Sequence, residues 1–283
     1  MNTATSQANP YVPHTAEVME RRDESRTIFT LRLRLRDVEA RAAYRFEAGQ
    51  FNMLYLFGAG EVAISIVSDP DDPELIDHTI RAVGRVTQGL QQLKPGDTLG
   101  LRGPFGRGWP LQAARGRDLL LVTGGLGCAP ATSVIQYVLQ RRAQYGRLTI
   151  CHGVKHPDDL IYSDRIDAWC EAPDTHVLLS ADQAAPAWRG RVGLVTKALD
   201  ELDAAVFKGV AMMCGPEPMM RAAAEDLLRR GTAPQDIYLS MERNMHCAVG
   251  HCGHCMFGGQ FICKDGPVFP YPKLRALLAV RGF

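Results

Sequence analysis

The sequence predicts a β plus α/β fold: an antiparallel β-barrel, then a doubly wound parallel-sheet domain, then a small C-terminal loop domain. Three observations carry this expectation. Over the first hundred residues, short runs alternate apolar and polar side chains between Gly, Pro and Asp punctuation, the signature of half-buried antiparallel strands. From Asp118 onward, continuous apolar runs alternate with helical periodicity, which implies a parallel sheet with crossover helices. Four of the eight cysteines then fall within the seventeen residues 247–263.

The polar arm at residues 1–9 is expected to be loose. Residues 26–35 (RTIFTLRLRL), 51–57, 62–68, 78–83 and 98–101 read as strands of one closed sheet. A helical stretch at 86–93 interrupts them, and Pro95-Gly96-Asp97 turns the chain into the last strand. Together these elements form a first domain at 10–112. A second, at 113–240, opens with residues 118–123 (DLLLVT), followed by Gly124-Gly125-Leu126-Gly127-Cys128-Ala129-Pro130 and a helix with Val134, Ile135, Val138 and Leu139 on one face. Further strands are expected at 148–154, 175–181 and 210–214, with helices near 157–170 and 216–230. Residues 241–283 make the C-terminal segment.

Composition narrows the function. With 283 residues and 46% hydrophobic content, the chain suits about two globular domains. Thirty-two basic against thirty-one acidic residues give a net charge of +1, so no global field draws nucleic acid or a membrane surface. No run reaches the roughly 18 apolar residues of a membrane span, and no N-terminal stretch has the shape of a signal peptide. The expected location is the cytoplasm, where thiols stay reduced.

Cys247, Cys252, Cys255 and Cys263 have the spacing C-x4-C-x2-C-x7-C. A loop that presents three thiolates at once, with a more distant fourth, suits a plant-type [2Fe–2S] cluster. Gly250 and Gly253 can take φ > 0 and bring backbone N–H groups close to the bridging sulfides. On this reading the protein moves single electrons. Zinc is the alternative, because structural zinc takes paired cysteines and histidines and His246, His251 and His254 lie among the thiols. A disulfide is the third option.

The glycine turn carries chemistry through its backbone. Without Cβ atoms, Gly124, Gly125 and Gly127 let a phosphate approach the unpaired N–H groups of the following helix, and Pro130 suits the first helical turn. Close packing is the plainer use of such glycines. A second motif, Cys214-Gly215-Pro216-Glu217-Pro218-Met219-Met220, ends a later strand and opens a helix. Ligands of such sheets bind beyond the carboxyl ends of the strands, so both motifs are expected to face one crevice.

The order of barrel, GGLGCAP, CGPEPMM and CAVGHCGHC followed by CKDGPVF resembles the ferredoxin-reductase superfamily. Within it, the resemblance is to iron–sulfur flavoproteins that serve as electron-transfer subunits. These include the gamma subunits of NAD(P)-linked [NiFe] hydrogenases and the corresponding subunits of dihydroorotate dehydrogenase and anaerobic sulfite reductase. The resemblance covers nearly the whole chain. It implies that the barrel binds FAD, the α/β domain NAD(P)H and the C-terminal segment a [2Fe–2S] cluster.

The family's R-x-Y-S strand reads Val62-Ala63-Ile64-Ser65 here, without the Arg and Tyr, leaving Ile64 and Ser65 as flavin contacts. Thr79, Ile80 and Arg81 match the next family segment, and Arg81 could supply the positive charge missing at Val62. Val86 and Thr87 match its pyrophosphate-contacting pair. Arg102-Gly103-Pro104-Phe105-Gly106 resembles the R-G-P-x-G segment beside the flavin. By the same resemblance GGLGCAP holds the NAD(P)H pyrophosphate, while Cys214, Gly215, Pro216 and Glu217 lie near the nicotinamide. Hydride transfer there needs stacking and orientation rather than a protein acid or base, so Cys214 is assigned to positioning. Cys128, Cys151 and Cys170 receive a structural reading.

NAD(P)H surrenders two electrons as a hydride and an iron–sulfur cluster accepts one at a time, so a flavin must stand between them. The resemblance therefore implies a diaphorase, an NAD(P)H-dependent oxidoreductase subunit. It would exchange electrons with a [NiFe] hydrogenase, in a hetero-oligomer with the hydrogenase small and large subunits and a further iron–sulfur subunit. The tail Lys264-Asp265-Gly266-Pro267-Val268-Phe269 favours that branch. Nothing in the chain resembles nickel-binding cysteine pairs. The alternatives are electron input to dihydroorotate dehydrogenase or sulfite reductase, and a non-redox zinc module.

Overall fold

The structure, a computed structural model, describes residues 9–280 except 73, 184, 187 and 203–206. The arm expected to be loose lies, but for Asn9, outside the described residues. The chain opens with β1 (His14–Asp23), a strand that the sequence pattern hid. Its charges at Glu17, Glu20, Arg21 and Arg22 mask an alternation that sends Ala16 and Val18 into the core. β2 (Ile28–Leu35) buries Phe29, Leu31, Leu33 and Leu35 at every second position, the period of a pleated strand. The short helix α1 (Val38–Ala43) is capped by Asp37, whose carboxylate accepts the Ala40 N–H at 2.8 Å.

β3 (Phe51–Leu56), β4 (Gly60–Ser65), β5 (Ile76–Arg81), the helix α2 (Arg85–Gln91) and β6 (Thr98–Phe105) complete a six-stranded antiparallel sheet, in the order β4-β3-β6-β1-β2-β5. Beyond β4, the Val67 N–H donates to the Asp77 carbonyl at 2.9 Å, which brings the two edges together as a barrel. The strand expected over 62–68 thus ends at Ser65, and β5 begins two residues earlier than expected.

The second sheet follows the alternating pattern. β7 (Leu119–Gly124), α3 (Cys128–Gln140), β8 (Leu148–Val154), α4 (Ser163–Glu171) and β9 (Thr175–Ala181) lead to the two-residue strand β10 (Arg191–Val192). The chain then returns to the other side of β7 with β11 (Val210–Cys214), α5 (Glu217–Arg229) and β12 (Ile237–Ser240). The order reverses between β7 and β11, so the topological switch point lies there. The helix expected at 157–170 is broken in two. Tyr162 takes a left-handed φ of 66°, and α4 starts only after it.

The C-terminal segment makes the hairpin β13 (Met256–Phe257) and β14 (Gln260–Phe261), the short helix α6 (Ile262–Asp265), then β15 (Val268–Pro270) and α7 (Tyr271–Leu278). β15 joins the second sheet as an antiparallel edge strand on β12. One apolar core joins Phe51 and Met53 of β3 to Met213 and Ala223 around β11 and α5 and to Cys255, Phe257 and Cys263 of the cysteine loop. Among the described residues no helix is long and apolar enough to cross a membrane.

Candidate functional site

The two glycine motifs touch at the switch point. A Cβ on Gly127 would lie 2.3 Å from the Cys214 carbonyl oxygen, and one on Gly215 would lie 2.9 Å from the Gly124 nitrogen. Both positions exclude side chains because backbone meets backbone. Gly125 differs. Its φ is +54° and a Cβ there would meet nothing within 4 Å, so the residue opens onto space that a dinucleotide pyrophosphate can fill, at the start of α3. Pro130 is the third residue of that helix, where no intrahelical N–H is missed.

Cys214 ends β11 and is 9% exposed. Burial pushes its thiol up to about 12, against a hydrogen bond with Ser240, so at neutral pH it is neither base nor nucleophile. Burial raises Cys128 in the same way, and Cys151 is also buried while Cys170 lies on the surface. Glu217 opens α5 and accepts from the Arg243 guanidinium at 3.1 Å. Just below Gly124, the Thr123 hydroxyl shares a 2.9 Å hydrogen bond with His152 Nδ1. Burial lowers His152 to about 4 and keeps it neutral.

On the barrel, all six residues of β4 are half-exposed, with Val62 and Ile64 resting on the barrel core. The end of this strand is pinned from inside. Tyr44 O–H donates to Asn52 Oδ1 at 2.9 Å, the Asn52 amide meets His78 Nε2 at 3.1 Å, and His78 Nδ1 meets the Ser65 carbonyl at 2.9 Å. Asn52 Oδ1 accepts, so its amide must donate. His78 therefore carries its proton on Nδ1 and gives it to Ser65. Burial holds His78 down at about 4.

Several expected flavin contacts are already committed to the protein. The Thr79 hydroxyl bonds that of Thr30 at 2.7 Å and receives the Tyr162 O–H, joining barrel to α4. Ile80 is buried in the barrel core, whereas Arg81 is exposed at the end of β5. Thr87 accepts the Val83 and Gly84 N–H groups at 3.0 and 2.9 Å and donates to the Gly84 carbonyl, so its hydroxyl shapes the turn into α2. Val86 is half-buried beside Gly60. Gly103 takes φ 139°, and a Cβ there would strike Asn52 Oδ1 at 2.2 Å. Arg102 is buried and bound bidentately by Glu61.

In the cysteine loop, Ala248, Gly250 and Gly253 all have positive φ, at 65°, 71° and 83°. The resulting curl aims N–H groups at sulfur. His251 and Cys252 donate to Cys247 Sγ at 3.2 and 3.4 Å, Gly250 to Cys263 Sγ at 3.2 Å and Cys263 to Cys255 Sγ at 3.5 Å. Burial works against ionisation of Cys247, but these backbone donors outweigh it and lower the thiol. Cys252 is lowered chiefly by the His254 N–H. Burial instead pushes Cys263 up to about 12.

The thiols form two hydrogen-bonded pairs, Cys247 with Cys252 and Cys255 with Cys263. Two cysteine pairs fit a two-iron cluster, in which each iron takes two thiolates. His246 and His254 stack on each other at 4.0 Å.

Residues 15–109 match the oxidoreductase FAD-binding domain, 121–225 the oxidoreductase NAD-binding domain, and 242–275 the iron–sulfur cluster binding domain of dihydroorotate dehydrogenase B. Over 93% of its length the chain is 36% identical to the sulfhydrogenase 1 subunit gamma of Pyrococcus furiosus, 92% of which is covered. It is 33% identical, over 82% of its length and 88% of the relative, to a probable dihydroorotate dehydrogenase B (NAD(+)) electron transfer subunit of Thermococcus kodakarensis. The chain belongs to this family of iron–sulfur flavoprotein electron-transfer subunits. It is an NAD(P)H-dependent oxidoreductase subunit whose cofactors are FAD, NAD(P) and a [2Fe–2S] cluster. The NADH-dependent reduced ferredoxin-NADP oxidoreductase shares its fold, with a TM-score of 0.72 at 24% identity over 94% of this chain and 93% of that one.

Sequence reasoning did not single out Thr123, His152, Tyr162, Asn52 or Glu61. Tyr162 and Glu61 are partners of Thr79 and Arg102, Asn52 lies against Gly103, and Thr123 and His152 pair with each other. The one local signal was a histidine inside each of two strands, His78 in β5 and His152 in β8.

Proposed function

We propose that this chain is the diaphorase subunit of a cytoplasmic [NiFe] hydrogenase complex, passing electrons between NAD(P)H and hydrogenase small and large subunits by way of a further iron–sulfur subunit. Its similarity to two sulfhydrogenase gamma subunits of Pyrococcus furiosus, at 36% and 35% identity over 93% of the chain, supports this choice of partner. The observation that carries the relay is the single core shared by β3 of the barrel, β11 at the crevice and the paired cysteines Cys255 and Cys263. Domains divide at 10–112, 113–240 and 241–283.

Gly124, Gly125, Gly127 and Pro130 hold the NAD(P)H pyrophosphate against the start of α3. Cys214, Gly215 and Pro216 frame the nicotinamide, and Glu217 keeps its place through Arg243. When bound, FAD would supply the conversion of a two-electron hydride into single electrons. On the barrel, Ile64, Ser65 and the Val86–Thr87 turn shape its seat, and Arg81 supplies positive charge. Burial keeps the Cys214 thiol protonated, so no thiolate stands there to add to the nicotinamide ring. Cys247, Cys252, Cys255 and Cys263 would hold the iron–sulfur cluster through their thiolates.

Stopped-flow absorbance on the purified complex tests the relay. Cys255→Ser should leave flavin bleaching by NAD(P)H rapid, while transfer to the partner subunits collapses. A cluster-free Cys255→Ser protein that feeds its partner at the wild-type rate ends this reading. Similarity to dihydroorotate dehydrogenase electron transfer subunits supports a second reading, electron input to that enzyme. The subunits that copurify with the chain decide between them.

A further inference from the structure

Arg102 is unusual among the chain's arginines in being 4% exposed. Its guanidinium is held at three corners. Nε and Nη2 donate to the two carboxylate oxygens of Glu61 at 2.9 and 2.8 Å, a planar fork-to-fork pair. Nη1, on the far edge, donates to the Pro10 carbonyl at 2.6 Å and reaches the Cys247 carbonyl at 3.5 Å. The Phe105 and Tyr11 rings lie 5.4 and 6.0 Å from it. Five residues on, the same strip meets the other end of the cysteine loop. The Arg107 N–H donates to the Gly266 carbonyl, and a Cβ on Gly106 would lie 2.6 Å from that oxygen.

The geometry points to residues 102–107 as the seat of the cluster loop, and to Arg102 with Glu61 as a positioning pair whose charges set the cluster's reduction potential. The inference rests on the reading of Cys247 as an iron ligand. It replaces the flavin contact expected of the R-G-P-F-G segment with a role toward the second cofactor. Reduction adds one electron and no proton to a thiolate-bound cluster, so its negative charge rises by one. A positive group held at a ligand's carbonyl favours that form, and a negative group opposes it. Here the cation is on the edge facing Cys247 and the carboxylate is on the edge turned away. The Arg102 side chain is 4% exposed and that of Glu61 30%, so the cation is the less screened of the two charges.

The test is an EPR-monitored redox titration of the anaerobically purified protein, with iron counted in each sample. Arg102→Met leaves the carboxylate alone beside the loop and should shift the cluster midpoint downward. Glu61→Gln leaves the cation alone and should shift it upward. The double variant should return toward wild type, and Arg102→Lys should stay closer to wild type than Arg102→Met. A loop merely loosened by mutation would not give shifts of opposite sign. Shifts of the same sign, or none, overturn the inference. If Arg102→Met cannot hold iron, Glu61→Gln decides alone: an upward shift supports the pair, and an unchanged or lower potential refutes it. A wild-type protein lacking about two irons per chain and the reduced-cluster signal removes the cluster reading itself, which is a separate failure.

Discussion

Acidification should unfold this protein through two buried histidines. Burial lowers His78 and His152 to about 4, whereas an unfolded histidine titrates near 6.5. Between those values the unfolded chain binds protons that the folded chain refuses, so stability is full above about pH 6.5 and falls as pH drops toward 4. The gap between 6.5 and about 4, at about 1.4 kcal/mol per pH unit, is worth about 3 kcal/mol for each histidine. Roughly 2 kcal/mol of that should go between pH 7 and pH 5. Out of a typical total of about 5–15 kcal/mol, this is a large share. The perturbation is His78→Gln, whose side-chain amide can still donate to the Ser65 carbonyl. Urea unfolding of both proteins at a series of pH values cancels the carboxylates they share. The wild-type free energy should fall faster with acid by about 2 kcal/mol over that range. Parallel curves would refute the claim that His78 is held neutral by burial.

Two further outcomes follow from contacts at the crevice and between domains. Gly127→Ala drives a methyl group into the Cys214 carbonyl and should cost about 1–3 kcal/mol, read as a melting temperature lower by about 2–4 °C per kcal/mol. Gly125→Ala meets open space and should cost only about 1–2 kcal/mol of left-handed strain, yet should weaken NAD(P)H binding in a fluorescence titration while dithionite still reduces the cluster. Tyr162→Phe removes the donor that joins α4 to Thr79 and should lower stability by about 1 kcal/mol in the same melting assay.

The parts of the fold legible in the sequence were those with strong periodicity or fixed spacing. β7 and β11 are almost continuous apolar runs, β8 and β9 are apolar-rich, and the ends of all four were read to within a residue. β1 escaped because only Ala16 and Val18 mark its inner face, while its charged residues face water or pair across strands. β15 and α7 escaped because three residues and two turns carry too little pattern, and the packing that orders them comes from β12. The glycine and cysteine motifs were legible because a backbone approach or a set of metal ligands constrains residue type at fixed intervals. The contacts that hold Arg102 are not local ones. Its partners Glu61 and Cys247 lie 41 and 145 residues away, and no local pattern reveals contacts at that range.

How the cysteine loop keeps its place follows from where it leaves and rejoins the sheet. β12 ends at Ser240, and Val268 of β15 pairs directly with Ser240 in the antiparallel register. Residues 241–267 therefore start and finish at one point on the sheet edge, and the ladder fixes both ends of the loop, so the entropy of closing it is offset by sheet hydrogen bonds. That point is also the crevice. Ser240 hydrogen-bonds Cys214, the last residue of β11, and Arg243, three residues into the loop, binds Glu217 of α5 while lying over the Phe257 ring. The loop is thus anchored to the nicotinamide side by covalent continuity and a hydrogen-bonded ladder, but to the barrel by side chains and the contacts of residues 102–107. The barrel face is held by no strand ladder, so substitutions can loosen it without breaking the sheet. Alignment between flavin and cluster should accordingly be more sensitive to substitutions along 102–107 than alignment between nicotinamide and cluster is.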